Sequence, residues 1–194
     1  MAAVKGMNEM DKKTDILFYA PLPVIIAGFI LQQKLAILPN VLSTAEIIRL
    51  SVLIAFAHVA AVGDIRSKKV PNKLMLAMLA GWVVVTVVSL FLNIELTIIY
   101  LVSAGMGLLA GGGLFLLVYV ISRKGLGGGD VKFMAIAGLY LTAYRTLPVM
   151  LVGTILAGLA ALVLLAMKRV TYKATIPLIP FLYGGILITL FLSR

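Results

Sequence analysis

Seven long apolar runs separated by short polar joints leave this chain few ways to fold. They cover residues 16–31, 47–63, 74–92, 97–122, 131–143, 146–167 and 176–192. A helix needs about 20 apolar residues to cross a hydrocarbon core of ~30 Å, and most of the runs approach that length. Composition agrees: hydrophobic residues are 62% of the chain and charged residues 12%, with a mean hydropathy of +1.14. The expected fold is an all-α polytopic membrane protein, with six core transmembrane helices plus an extra N-terminal helix.

Two runs are irregular. Pro21 and Pro23 interrupt the start of the first, which could make it interfacial or kinked. The fifth is short unless residues 127–130 already enter the membrane, and glycine-broken segments at that depth are tolerated only where protein or water lines them. Residues 1–15 are polar and lack the order of a cleavable signal peptide, so the first run reads as an uncleaved span. The expected organisation is a segment 1–45 carrying the extra helix and a membrane-embedded domain 46–194.

The net charge of +10 is spread over short loops rather than gathered into one patch, so it sets topology and no nucleic-acid partner is expected. With the N-terminus in the cytoplasm and all seven runs crossing, thirteen basic residues fall inside: Lys5, Lys12, Lys13, Arg66, Lys68, Lys69, Lys73, Arg123, Lys124, Lys132, Lys168, Arg169 and Lys173. Only Lys34, Arg49, Arg145 and Arg194 fall outside. The assignment is unchanged if the first run does not cross. The chain has no cysteine and a single histidine. Disulfides, thiolate metal sites, cysteine nucleophiles and multi-histidine metal clusters are therefore excluded, and no metal or cofactor is expected.

This topology brings distant acids together. Between Arg49 and the C-terminus the acidic residues are Asp64, Glu95 and Asp130. Asp64 ends the second run as it reaches the cytoplasm, and Asp130 follows the fourth as it returns there. Glu95 falls on the opposite face. The two aspartates, 66 residues apart in sequence, thus share one side and one depth.

Each has a plain structural alternative. Asp64 precedes a basic loop and then Pro71-Asn72, with Pro71 suited to the first turn of the next helix. An aspartate anchored by Arg66 at headgroup level is at least as good a reading of this element alone. A carboxylate at a helix C-terminus is disfavoured by the helix dipole, however, so another interaction should offset that cost. Gly127, Gly128 and Gly129 place no side chains before Asp130, so a peptide backbone could approach closely. The alternative there is an N-cap aspartate after a flexible loop. A phosphate-cradling loop fits poorly, because the glycine spacing is wrong and the acid would repel phosphate.

Taken together the two elements say more. Ionisable residues at membrane depth are rare and point to function. Two carboxylates at hydrogen-bonding distance resist joint ionisation and share a proton, which supplies a base and an acid without a metal.

The residues also carry a family likeness. Asp64 with Pro71-Asn72 seven positions on, then Gly127-x-Gly129-Asp130 leading into Val131-Lys132, resembles the type IV prepilin peptidases, GxGD aspartic proteases of prokaryotic membranes. The likeness runs from about residue 47 to 192, and Pro177 and Pro180 are similar to the proline-containing opening of the family's last helix. It implies cleavage of the leader peptide of a type IV pilin-like or flagellin-like precursor at the cytoplasmic face of the cytoplasmic membrane. Asp64 and Asp130 would be the catalytic pair, with Gly127, Gly129, Pro71 and Asn72 shaping the site. Larger members carry a cysteine-containing cytoplasmic region linked to N-methylation. This chain has neither, so methyltransferase activity is not expected and it resembles the peptidase-only branch.

Lys132 either tunes the pKa of Asp130 or snorkels to headgroups. His58, two turns before Asp64, reads as a buried hydrogen-bonded histidine, and Trp82, Tyr100, Tyr140 and Tyr144 as packing or interfacial anchors. Ser103, Gly107 and Gly111, and likewise Gly153, Ala157 and Ala161, recur every four residues, which suits close helix packing in lipid. The competing function is a proton- or cation-coupled transporter with Asp64 and Asp130 as ion ligands; a catalytically inert scaffold is a third. Transporters usually bind ions near the midplane and often show inverted repeats, neither of which is visible here.

Overall fold

The computed structural model describes residues 18–35, 43–68, 70–122, 126–168 and 176–192. Residues 1–15, Lys69, Arg123, Lys124, Gly125, Arg169, Lys173 and Arg194, on which parts of the topology reading rest, lie outside the described residues. The described chain is helical throughout. Six helices follow in order: α1 Pro21–Leu35, α2 Thr44–Ser67, α3 Asn72–Leu92, α4 Ile94–Ile121, α5 Gly128–Ala166 and α6 Ile179–Leu192. Helices α2 to α5 are long and apolar enough to cross a membrane, and α6 is a shorter apolar helix.

Pro21 and Pro23 fall in the first turn of α1, where a missing N–H breaks no intrahelical bond. Over the 15 residues Pro21–Leu35, α1 rises about 22 Å. It lies against α2 and α6: Phe29 is fully buried, its ring meets Phe191 edge-on at 5.9 Å, and Gln32 Nε2 donates to the Phe191 carbonyl at 2.8 Å.

Helix α2 is the central post. Ser43 caps it by accepting from the Glu46 amide at 3.2 Å, and Lys68 closes it in the left-handed conformation, its amide donating to the Asp64 carbonyl. Leu50, Leu53, Ile54, Ala57, Ala60 and Ala61 are all buried, a spacing that draws one continuous apolar stripe along the helix. Asn93 alone joins α3 to α4. Its amide ends α3 on the Ser89 carbonyl at 2.9 Å, and its Oδ1 accepts from the Leu96 amide at 3.1 Å to begin α4.

The fifth and sixth apolar runs were expected as separate spans, and within the helical stretch Gly128–Ala166, 39 residues in all, they form two helical arms. Unbroken, the stretch would reach ~58 Å, twice the hydrocarbon core. It is interrupted at Thr142, where φ is 63° and ψ is 175°, into arms 128–141 and 143–166. The contacts of α4 show what the break does. A Cβ on Gly107 would collide with the Gly138 carbonyl and lie 2.8 Å from the Thr142 carbonyl carbon. One on Gly111 would meet the Met134 carbonyl at 2.5 Å and Thr146 Cγ2 at 3.2 Å. One step along α4 thus matches a step back in the first arm and a step forward in the second. The arms run in opposite directions, so the chain reverses at Thr142.

Small residues permit this packing, since in lipid helix association depends on close fit. Gly107 faces Gly138 backbone to backbone, and a Cβ on Gly185 would lie 2.7 Å from the Val149 carbonyl and 3.0 Å from Gly153 Cα. The four-residue spacing in the sequence identifies Gly107, Gly111 and Gly153, but not their partners Gly138 and Gly185.

Candidate active site

Four helix ends meet at one end of the bundle: the end of α2 and the starts of α3, α5 and α6. The sequence elements around Asp64 and Asp130 are brought together there. Asp64 is 6% exposed. It lies inside α2, which runs on to Ser67, so the helix extends past the expected end of the run. Its Oδ2 accepts a hydrogen bond from the backbone amide of Ile179 at 3.2 Å. That amide opens α6, where N–H groups have no intrahelical acceptor and the dipole is positive. The disfavoured position of Asp64 on its own helix is therefore offset by the start of another.

Asp130 is the third residue of α5 and not its N-cap. Gly127 is the N-cap, and its amide donates to Asp130 Oδ2 at 3.2 Å. The acid thus reaches back to the start of its own helix, and a Cβ on Gly127 would lie 2.8 Å from Asp130 Oδ2, so any larger residue there would push the carboxylate from this position. Gly128 and Gly129 belong to the first turn of the helix rather than to a loop. Neither has positive φ, and a Cβ on either would meet nothing within 4 Å. Nothing within the described chain demands glycine at these two positions.

Asn72, at the start of α3 just beyond the end of α2, bonds Lys132 two residues after Asp130, so the end of α2 that carries Asp64 and the first turn of α5 that carries Asp130 lie at the same end of the bundle. Each carboxylate is anchored through Oδ2 by one backbone amide. Neither Oδ1 has a hydrogen-bond partner among the described residues, and neither is sealed from the surface. The arrangement presents two carboxylate oxygens held by groups that cannot titrate, each with acceptor capacity left over for water or a substrate.

The neighbouring residues form a brace. Pro71 is the N-cap of α3, one position before the helix rather than in its first turn, and its carbonyl accepts from the Leu74 amide at 2.9 Å. Asn72 Oδ1 accepts from Lys132 Nζ at 3.1 Å, so the ammonium ties the starts of α3 and α5. Among the described residues the hydrogen bond of Lys132 goes to Asn72, not to Asp130. Arg66 lies over the Phe18 ring at 4.8 Å.

Behind Asp64, His58 is buried as expected. Its Nε2 lies 2.8 Å from the Phe18 carbonyl and its Nδ1 3.2 Å from the Tyr183 hydroxyl. A carbonyl only accepts, so Nε2 is the donor of that contact, and in the tautomer with the proton there Nδ1 accepts from the Tyr183 hydroxyl. This couples α2 to α6, the pair that also joins Asp64 to Ile179. Among the described residues no three His, Cys, Asp or Glu side chains gather where a metal ion could sit.

Sequence reasoning missed the Ile179 amide. Pro177 and Pro180 mark the start of α6, but no side-chain identity announces where a backbone N–H points. It also passed over the pair Glu46 and Arg145, whose side chains meet at 2.6 Å at the other end of the bundle.

A chain of apolar helices long enough to cross a bilayer, packed through glycine contacts, is a multi-pass membrane protein. It belongs to the type IV leader peptidase family, whose model matches residues 51–164, more than half of its length. Membership implies aspartic peptidase activity on prepilin-like substrates. No curated protein and no solved structure matches the chain.

Proposed function

We propose that this protein is an aspartic endopeptidase that removes the leader peptide of type IV pilin-like or flagellin-like precursors, with Asp64 and Asp130 as the catalytic pair. The observation that carries the reading is the placement of these two acids at one end of the bundle, one buried and both amide-anchored, within a leader peptidase family chain.

The chemistry follows from two carboxylates that share a proton. The ionised member accepts a proton from water as its oxygen attacks the scissile carbonyl carbon. The protonated member donates to the carbonyl oxygen, stabilising the tetrahedral intermediate. Collapse breaks the C–N bond, and the leaving amine takes up a proton from the pair, which returns to its starting state. Backbone amides of Ile179 and Gly127 hold the carboxylates in place throughout, so proton transfers alter neither anchor. Gly128 and Gly129, with open space where side chains would stand, leave room for the substrate backbone beside Asp130.

The site sits where helices end, at the expected cytoplasmic face of a prokaryotic membrane. A single-span precursor presents the junction of its leader and its apolar helix at that level. Lys132 and Asn72 would keep the start of α3 beside the first turn of α5, and Pro71 directs the chain into α3.

Co-expression with a pilin-like precursor tests the reading. The precursor should shorten by its leader in the presence of the wild-type chain and keep its full size with Asp64→Asn or Asp130→Asn. Cation flux in proteoliposomes that depends on both aspartates, with the precursor left uncut, would favour ion-coupled transport instead.

A further inference from the structure

A second group of charges lies at the end of the bundle away from Asp64 and Asp130. Glu46 and Arg49 stand in the first two turns of α2, and Arg145 follows the reversal at Thr142. Arg145 Nη1 donates to Glu46 Oε1 at 2.6 Å, so that carboxylate is already engaged. Arg49 is 7% exposed, and its guanidinium carbon lies 3.4 Å from the centroid of the Tyr100 ring. The Tyr100 hydroxyl is itself committed, donating to the Leu139 carbonyl at 2.6 Å and accepting from Trp82 Nε1 at 2.5 Å.

Stacking covers one face of the guanidinium but satisfies none of its five in-plane N–H donors. Among the described residues none of the five has an acceptor, and Nε is fully buried without one. The terminal nitrogens are not sealed in the same way, so the guanidinium edge reaches the surface. A ring face offsets only part of the penalty for a charge taken from water with its donors unmatched. The trio Glu46, Arg49 and Arg145 carries one excess positive charge, which calls for one anion.

The surroundings indicate what carries that anion. Ile48, Leu96, Ile99 and Leu147 are exposed at this same end, on helices apolar enough to cross a membrane. The guanidinium edge therefore opens where acyl chains give way to headgroups. We propose that Arg49, with Arg145 beside it, binds the phosphate group of an anionic phospholipid at the end of the bundle opposite the aspartate pair. Two non-bridging phosphate oxygens match the guanidinium fork, and the acyl chains lie along the exposed apolar side chains. Free phosphate has the same oxygen geometry, but not the apolar partner that this boundary offers. Bound there, the lipid staples the start of α2 to α4 and to the second arm of α5, independently of any peptidase activity.

The test uses the full chain, delipidated and returned to phosphatidylcholine nanodiscs with or without phosphatidylglycerol. Phosphatidylglycerol should raise the thermal midpoint by roughly 2–4 °C. Arg49→Gln should abolish the rise, Arg49→Lys should keep only part of it, and Lys168→Gln, a charge at the other end, should leave it intact. Should Arg49→Gln not fold, native mass spectrometry of the wild type and of Glu46→Gln decides the matter. Both should retain phosphatidylglycerol over phosphatidylcholine, Glu46→Gln more strongly. Equal retention of the two lipids, or an equal rise produced by inorganic phosphate alone, would overturn the proposal.

Discussion

The amide of Ile179 and the carboxylate of Asp64 meet at 3.2 Å across two helices, so an acid near the end of α2 caps the start of α6. The contact fixes one proposed catalytic oxygen with a backbone group and leaves the other oxygen of the carboxylate open. It also makes the placement of Asp64 depend on a residue 115 positions away.

Removing that amide should therefore weaken catalysis beyond any loss of folded protein, which the burial of the Ile179 side chain also makes sensitive to substitution. Ile179→Pro deletes the N–H at the first position of a helix, where proline is accepted. Losing a hydrogen bond to a charged group costs about 1.5–3 kcal/mol, so precursor cleavage should fall by roughly ten- to a hundredfold. Ile179→Val keeps the amide and should stay within a few-fold of wild type. Both variants are compared by cleavage rate at matched amounts of folded protein.

Gly129 separates substrate approach from folding. A Cβ there meets nothing within 4 Å, so Gly129→Val should leave the thermal midpoint within a few degrees of wild type. If the precursor backbone passes beside Asp130, the same change should lower kcat/KM by about tenfold or more. Unchanged kinetics would move the substrate path away from this turn.

Gly107 should behave in the opposite way. Its backbone touches Gly138 too closely to admit a Cβ, and overpacking of this kind costs about 1–3 kcal/mol or more. Gly107→Val should lower the thermal midpoint in detergent by several degrees, with activity falling only as the folded fraction falls.

Thr142 holds φ at 63° with extended ψ, a conformation close to glycine-only. In an ordinary helix interior alanine is preferred over glycine by about 1 kcal/mol. At position 142 the order should invert, with Thr142→Gly more stable than Thr142→Ala by a similar margin. Denaturation midpoints of the two variants check this.

Apolar run length made the membrane class and most helices legible in the sequence, because lipid obliges each span to be long and internally bonded. The reversal was legible only as a gap between two runs at residues 144–145, and its break at Thr142, inside the first of those runs, was not, since a threonine with positive φ leaves no compositional mark. Gly107 and Gly111 were readable as contact points from their spacing, while Gly138 became visible only once the reversal placed it opposite Gly107. At the site, Asp64 and Asp130 stood out because acids are scarce in apolar sequence. The anchors of those acids did not, because both are backbone amides. Arg49 was read simply as a topology-setting charge, and its stacking on Tyr100 depends on how α2 and α4 lie together.

The central claim is that Asp64 and Asp130 act as one unit. The most direct measurement is the cleavage rate of a pilin-like precursor by wild type, Asp64→Asn, Asp130→Asn and the double variant, each verified as folded. Each single substitution should lower the rate by about 10³-fold or more, and the double variant should fall no further, since half of a shared-proton pair has no function alone. Losses that multiply in the double variant, or either single variant retaining full activity, would contradict the account.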